Sequence, residues 1–208
     1  MVSTSMGLPG AREIHRRTLD NGLTVLFLPR PDLPFVVMRV ENGAGSARDP
    51  RGSEGLAALT ATAMTRGTER LPASELFQMT DSYGIGLTAD ADSDTAQVGV
   101  RALHEDFSRG LDLLAEVVIS PGFEGDEVAK LRDQIISRLY EVEDDTGYRA
   151  ERALAEELYP DGHPYRHPVS GYPSNLAALS REAVQDFHRR HYFPAEMRLA
   201  VVGDLETA

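Results

Sequence analysis

Residues Gly55 to Thr68 read GLAALTATAMTRGT. Small and aliphatic side chains follow one another without a helix breaker until Gly67, so the reading predicts a helix over roughly 54–66. On an α-helix, positions i, i+3 and i+4 share a face, which groups Ala58, Ala61 and Thr62 and turns Leu56, Leu59 and Ala63 elsewhere. That spacing is the one a pair of metal ligands needs, yet these positions carry two methyl groups and a neutral hydroxyl. A catalytic zinc requires about three nitrogen, sulfur or carboxylate donors and an open water position, and this face supplies none of them.

Outward from that helix, the pattern predicts a hairpin closed by Asp20-Asn21-Gly22 as a type I′ turn, then a strand from about Phe35 to Gly43. After the central helix come a second from Ala73 to Tyr83, stopped at Gly84, and two strands, Ile85 to Ala91 and Thr95 to Leu103, joined at Asp92-Ser93-Asp94. The apolar set Phe107, Leu111, Leu114 and Val118 marks a helix over 105–119. Val128, Leu131, Ile135, Leu139 and Val142 mark a long one after it, and a further helix runs from Gly147 to Tyr159. An irregular connection over 160–173, a helix from Arg181 to His191 and a strand from Met197 to Val202 complete the order. Strands and helices in separate runs, with hairpins among the strands, indicate an α+β fold: a two-layer domain with helices on a mainly antiparallel sheet.

The chain has 208 residues, 41% of them apolar, which suits one domain, 1–208, with a sizeable core. No stretch is long enough to span a bilayer. A net charge of −12 argues against nucleic-acid or anionic-membrane partners, which need clustered Lys and Arg. The runs Arg12 to Arg17 and Arg189 to Arg190 read as solvated positive ends of elements. With no cysteine there is no disulfide, thiolate site or Cys nucleophile. Met1 to Gly10 lacks an apolar leader core, from which a cytoplasmic location is expected.

The segment 55–68 aligns without a gap with the metal-binding helix of the pitrilysin/insulinase-like metallopeptidases, typically GLAHFLEHMLFKGT with the inverted zinc motif H-x-x-E-H. The resemblance extends over nearly the whole chain: HRRTLDNGLTVLFLP (15–29), the strand leading to Gly-Ala-Gly-Ser (43–46), His163-Pro164-Tyr165 with Gly171, Phe187-His188 to Pro194, and LAVVGD (199–204) occur in the family's order. It implies the family's two-layer domain, the amino-terminal one, ending before its last helix and before a second similar domain. It places the first His on Ala58, the water-activating Glu on Ala61 and the second His on Thr62. The third ligand, a Glu in a stretch like ERERDVIIRESEEV, falls on Arg138 of VAKLRDQIISRLYEV (128–142), with Glu141 or Glu143 as the acid in a shifted register. A guanidinium about 4 Å from a divalent ion costs roughly 8 kcal/mol at an effective dielectric near 20. The resemblance therefore implies vestigial positions at Ala58, Ala61, Thr62 and Arg138, with no metal, cofactor or catalytic residue.

It also implies a peptide that adds as a strand to the edge at Gly86, Leu87, Thr88 and Ala89, whereas an ordinary edge strand blunted by Asp90 and Asp92 is the plainer alternative. The expected function is that of a non-catalytic subunit, paired with a catalytic homologue of the same family and enclosing peptide, as in processing peptidases built from an active and an inactive half. Two alternatives stand beside it. One is an active enzyme with a metal site relocated to His163, His167, His188 and His191 or a partner in trans; the other is a stand-alone peptide-binding scaffold. The acidic group Glu141, Glu143, Asp144 and Asp145 lacks the spacing of a calcium loop and reads as a solvated helix end.

Overall fold

A computed structural model describes residues 14–205. The leader reading of 1–10 and the first residues of the basic run at 12–17 lie outside the described residues. Six strands form one sheet: β1 (His15–Thr18), β2 (Thr24–Pro29), β3 (Phe35–Asn42), β4 (Gly86–Ala91), β5 (Ala96–Leu103) and β6 (Arg198–Gly203), in the order β1-β2-β6-β3-β5-β4. Every neighbouring pair is antiparallel except β2 with β6. The last strand thus inserts into the middle of the sheet and ties the end of the chain to its beginning.

The pleat sorts the central strands by period two. Val36 and Met38 of β3, with Ala96, Val98, Val100 and Ala102 of β5, are buried on one face. On the other, Arg39 donates to Gln97 at 2.8 Å and Arg101 lies 4.4 Å over the ring of Phe35. The helices are α1 (Leu56–Ala63), α2 (Ala73–Ser82), α3 (Phe107–Ile119), α4 (Gly125–Val142), α5 (Thr146–Leu158), α6 (Pro173–Ala178) and α7 (Arg181–His191). Leu113, Leu114, Val117 and Val118 of α3, Val128, Leu131 and Leu139 of α4, and Val184 and Phe187 of α7 complete one core with the sheet and α1. Full burial of each such aliphatic side chain contributes about 1.5–3 kcal/mol. His188 belongs to this interior: its Nε2 lies 2.9 Å from the Val118 carbonyl and its ring stacks on Tyr192. Burial holds its pKa below the ordinary histidine value.

Two local readings are corrected. The hairpin turn is not type I′, which needs positive φ at both central residues. Gly22 has φ 89°, but Asn21 is not in that region. The Gly22 amide bonds the Leu19 carbonyl and the Leu19 amide bonds the Leu23 carbonyl, both at 2.9 Å. This is a three-residue loop, a type I turn closed by a left-handed glycine. Asn21 instead uses its side chain, whose Oδ1 accepts from the Leu23 amide at 3.1 Å. Second, the connection after Pro160 ends in α6, begun by Pro173 at its first turn, where the missing N–H costs nothing.

Candidate functional site

A cavity of about 700 Å³ opens between α1, α4, α5, the end of β4 and the loop at 166–170. Its position follows from how α1 starts. Gly55 has φ 101° and Gly171 has φ 71°, conformations that favour glycine. A Cβ on Gly171 would stand 2.0 Å from the Glu54 carbonyl oxygen, and one on Gly55 would stand 2.8 Å from the Ser170 oxygen. Both positions must lack a side chain for the 166–171 loop to lie against the helix start. Asp49 caps that start, accepting from the Gly55 and Ala57 amides at 2.8 Å each. Burial pushes its pKa up to about 6, against the opposing pull of those two N–H groups.

Ala58 and Thr62 of α1 line the cavity, facing Ile135, Arg138, Leu139 and Val142 of α4. Three of the four positions that the sequence singles out are therefore brought to one cavity. Ala61 is not on its wall; it is fully enclosed in the core. Glu141 lies with Arg138 along an outer groove of α4 and Glu143 pairs with Arg152, and neither lines the cavity. The Thr62 hydroxyl donates to the Ala58 carbonyl at 2.9 Å, so its proton is spent within the helix. Arg138 is exposed, with no carboxylate within 4.0 Å among the described residues.

Tyr148, Glu151, Arg152 and Ala155 of α5 supply a wall that the sequence reading did not assign. Their i, i+3, i+4, i+7 spacing is a helix-face signal that could have found it. Arg152 reaches Glu143 and lies 3.8 Å from Glu156, while Arg166 bonds the Tyr159 carbonyl at 2.6 Å and lies 3.2 Å from Asp161.

β4 is the sheet edge beside the cavity, and its last residues, Asp90 and Ala91, form part of the wall. Leu87, Ala89 and Ala91 turn toward the core, whereas Gly86, Thr88 and Asp90 are exposed. Asp90 accepts from the Gln97 amide at 2.6 Å. β5 is the strand partner of β4. The four histidines weighed above do not converge. His163 stacks on Tyr159, and His167 Nδ1 lies 3.2 Å from the Pro168 carbonyl, while His188 is in the α3–α7 interior and His191 packs on Phe187. No group of three or more His, Cys, Asp or Glu side chains suited to a metal comes together among the described residues.

This sheet and helix order has a known counterpart. The model of the insulinase family, peptidase family M16, matches residues 25–168, and the chain belongs to that family. It is 28% identical over 205 residues to bovine cytochrome b-c1 complex subunit 1, mitochondrial, covering 97% of this chain and 42% of that one. It is 27% identical over 191 residues to an uncharacterized zinc protease of Mycobacterium leprae, covering 92% and 43%. Among solved structures, a peptidase M16 inactive domain from Pseudomonas fluorescens superposes with a TM-score of 0.87 at 27% identity, covering 93% of this chain and 47% of that one. The chain thus spans less than half the length of the relatives it matches.

The residues at the cavity do not fit a zinc centre. Ala58 offers no lone pair, the back-bonded hydroxyl of Thr62 is a poor ligand, and the guanidinium of Arg138 repels a cation.

Proposed function

We propose that this domain is a non-catalytic member of family M16 that pairs with a catalytic homologue and holds extended peptide along β4. One observation carries the reading: Ala58, Thr62 and Arg138, the positions that the motif resemblance assigns to metal ligands, line one cavity and can neither bind zinc nor activate water. The open edge of β4 supports a retained peptide role, because strand addition uses main-chain hydrogen bonds and needs no metal. Similarity to an inactive M16 domain and to a respiratory-complex subunit agrees with a scaffold that persists without hydrolysis.

The reading is tested on protein purified without chelator. Metal analysis is expected to find no stoichiometric zinc, and peptide cleavage is expected only when a homologue bearing H-x-x-E-H is added. Stoichiometric zinc together with cleavage by this chain alone would overturn it. Restoring the motif as A58H, A61E and T62H is expected to give weak zinc affinity through the two histidines, and adding Arg138→Glu is expected to raise that affinity by about a hundredfold or more. Tight binding by the triple variant would show that position 138 is not the third corner.

A further inference from the structure

The cavity carries a charge that the loss of a metal site does not by itself explain. Removing zinc chemistry requires only that the donors disappear, yet at position 138 the side chain is a cation. Arg138, which also borders an outer groove with Asp133 and Glu141, lines the cavity together with the apolar side chains of Ala58, Ile135, Val142 and Val169 and the ring of Tyr148. Every other guanidinium on the wall is already engaged: Arg152 by Glu143 and Glu156, and Arg166 by Asp161 and two carbonyls. Arg138 has no such partner among the described residues. The acids on the wall are Glu151 and Asp90, and Asp90 is held by Gln97. An unengaged guanidinium beside apolar surface is the arrangement that recognises a carboxylate by paired N–H donors while its neighbours bury carbon.

We infer that Arg138 is a specificity residue for a peptide carboxylate, which it receives at the mouth of the cavity from a peptide lying on β4. This rests on the peptide-binding part of the reading above. The strand ends with Asp90 and Ala91 in the wall of the cavity that Arg138 also lines, so a chain added along Gly86–Ala91 has one end beside that cavity. The carboxylate comes either from the peptide's C-terminus or from an Asp or Glu side chain, and both present the same pair of acceptor oxygens. The protein's net charge of −12 opposes long-range approach of an acidic ligand, so the discrimination arises at contact rather than by steering.

The experiment uses N-terminally labelled octapeptides of alternating β-branched and small residues, ending in Leu, with Glu or Gln at the fifth position and the C-terminus free or amidated. Binding of the four peptides to the whole chain is measured by fluorescence anisotropy. At least one carboxylate is expected to improve affinity about tenfold, and its position identifies which source is read. Arg138→Gln is expected to abolish that preference while the Gln, amidated peptide binds both proteins alike. Arg138→Lys is expected to restore part of it. Equal affinity of all four peptides for the wild-type chain overturns the inference and leaves the peptide edge standing, as does an equal loss for all four in Arg138→Gln. Absence of binding by every peptide overturns the peptide-edge reading itself, and the inference falls with it. N-methylation of alternate peptide amides, expected to weaken binding in one register only, reports separately on strand addition.

Discussion

The two sides of α1 answer to different demands, one to packing and the other to the cavity. Toward the core, Leu56, Thr60, Ala61 and Ala63 are buried and keep the helix seated, and Leu59, equally enclosed, reaches from this side to the cavity wall. Toward the cavity, Ala58 and Thr62 are half-buried, and the Thr62 hydroxyl bonds within its own turn. Backbone placement answers to the first side, and chemistry would have to come from the second. The fold is that of the matching family, while Ala58 and Thr62 on the cavity side offer no metal-binding group.

The contrast is broken most severely at Ala61, which the motif alignment assigns to chemistry and the structure assigns to the core. Ala61→Glu is expected to cost about 3–5 kcal/mol, because it forces a carboxylate into a filled, unpaired environment. A shift of that size in the urea midpoint at constant m-value is the readout. A cost under about 1 kcal/mol would mean that position 61 retains access to the cavity. Leu59→Ala, with its side chain fully enclosed, is expected to cost about 2–4 kcal/mol by the same measurement.

Asp49 sharpens the comparison at the helix start. Its carboxyl pKa is raised to about 6 in the folded chain, above its ordinary 3.8. The protonated form is thus favoured by folding: the associated stability is fully present below about pH 4 and is lost as pH rises through about 6. Relative to Asp49→Asn, the wild-type chain should gain of order 2 kcal/mol between pH 6.5 and pH 4. His188 has the opposite sense. Burial lowers its pKa, so its contribution is present above the ordinary histidine value near 6.5 and declines as pH falls below it. The difference between the two proteins, measured by denaturant titration at several pH values, isolates Asp49. A flat difference would refute its assignment. The smallest effects are expected on the cavity side: Thr62→Ala and Arg138→Gln should each change stability by no more than about 0.5 kcal/mol, in contrast to Leu59→Ala one turn away.

The strands and helices were legible where periodicity was strong, as in the alternation of β5 and the stripe of α4. The turn at Asp20-Asn21-Gly22 was misread because the same residues serve two loop lengths, and only the pairing of Leu19 with Leu23 selects between them. Helix α6 was missed because six residues carry too little pattern to outweigh the Pro- and Gly-rich stretch around it. At the site, Ala58, Thr62 and Arg138, singled out by resemblance, line one cavity. Tyr148, Arg152 and the 166–170 loop were not singled out, because they reach the cavity through tertiary contacts that sequence distance hides. Ala61 illustrates the converse: a helical wheel places it beside Thr62, and only the core shows which of the two is enclosed.

The meeting of Gly55 with Gly171 has a kinetic consequence. These residues are more than a hundred positions apart, so the rim is completed by a contact that closes most of the chain into a loop. Hydrogen-exchange pulse labelling should accordingly protect the β3 and β5 amides before those of 166–171, so that the mouth, like the β2–β6 pairing, sets late.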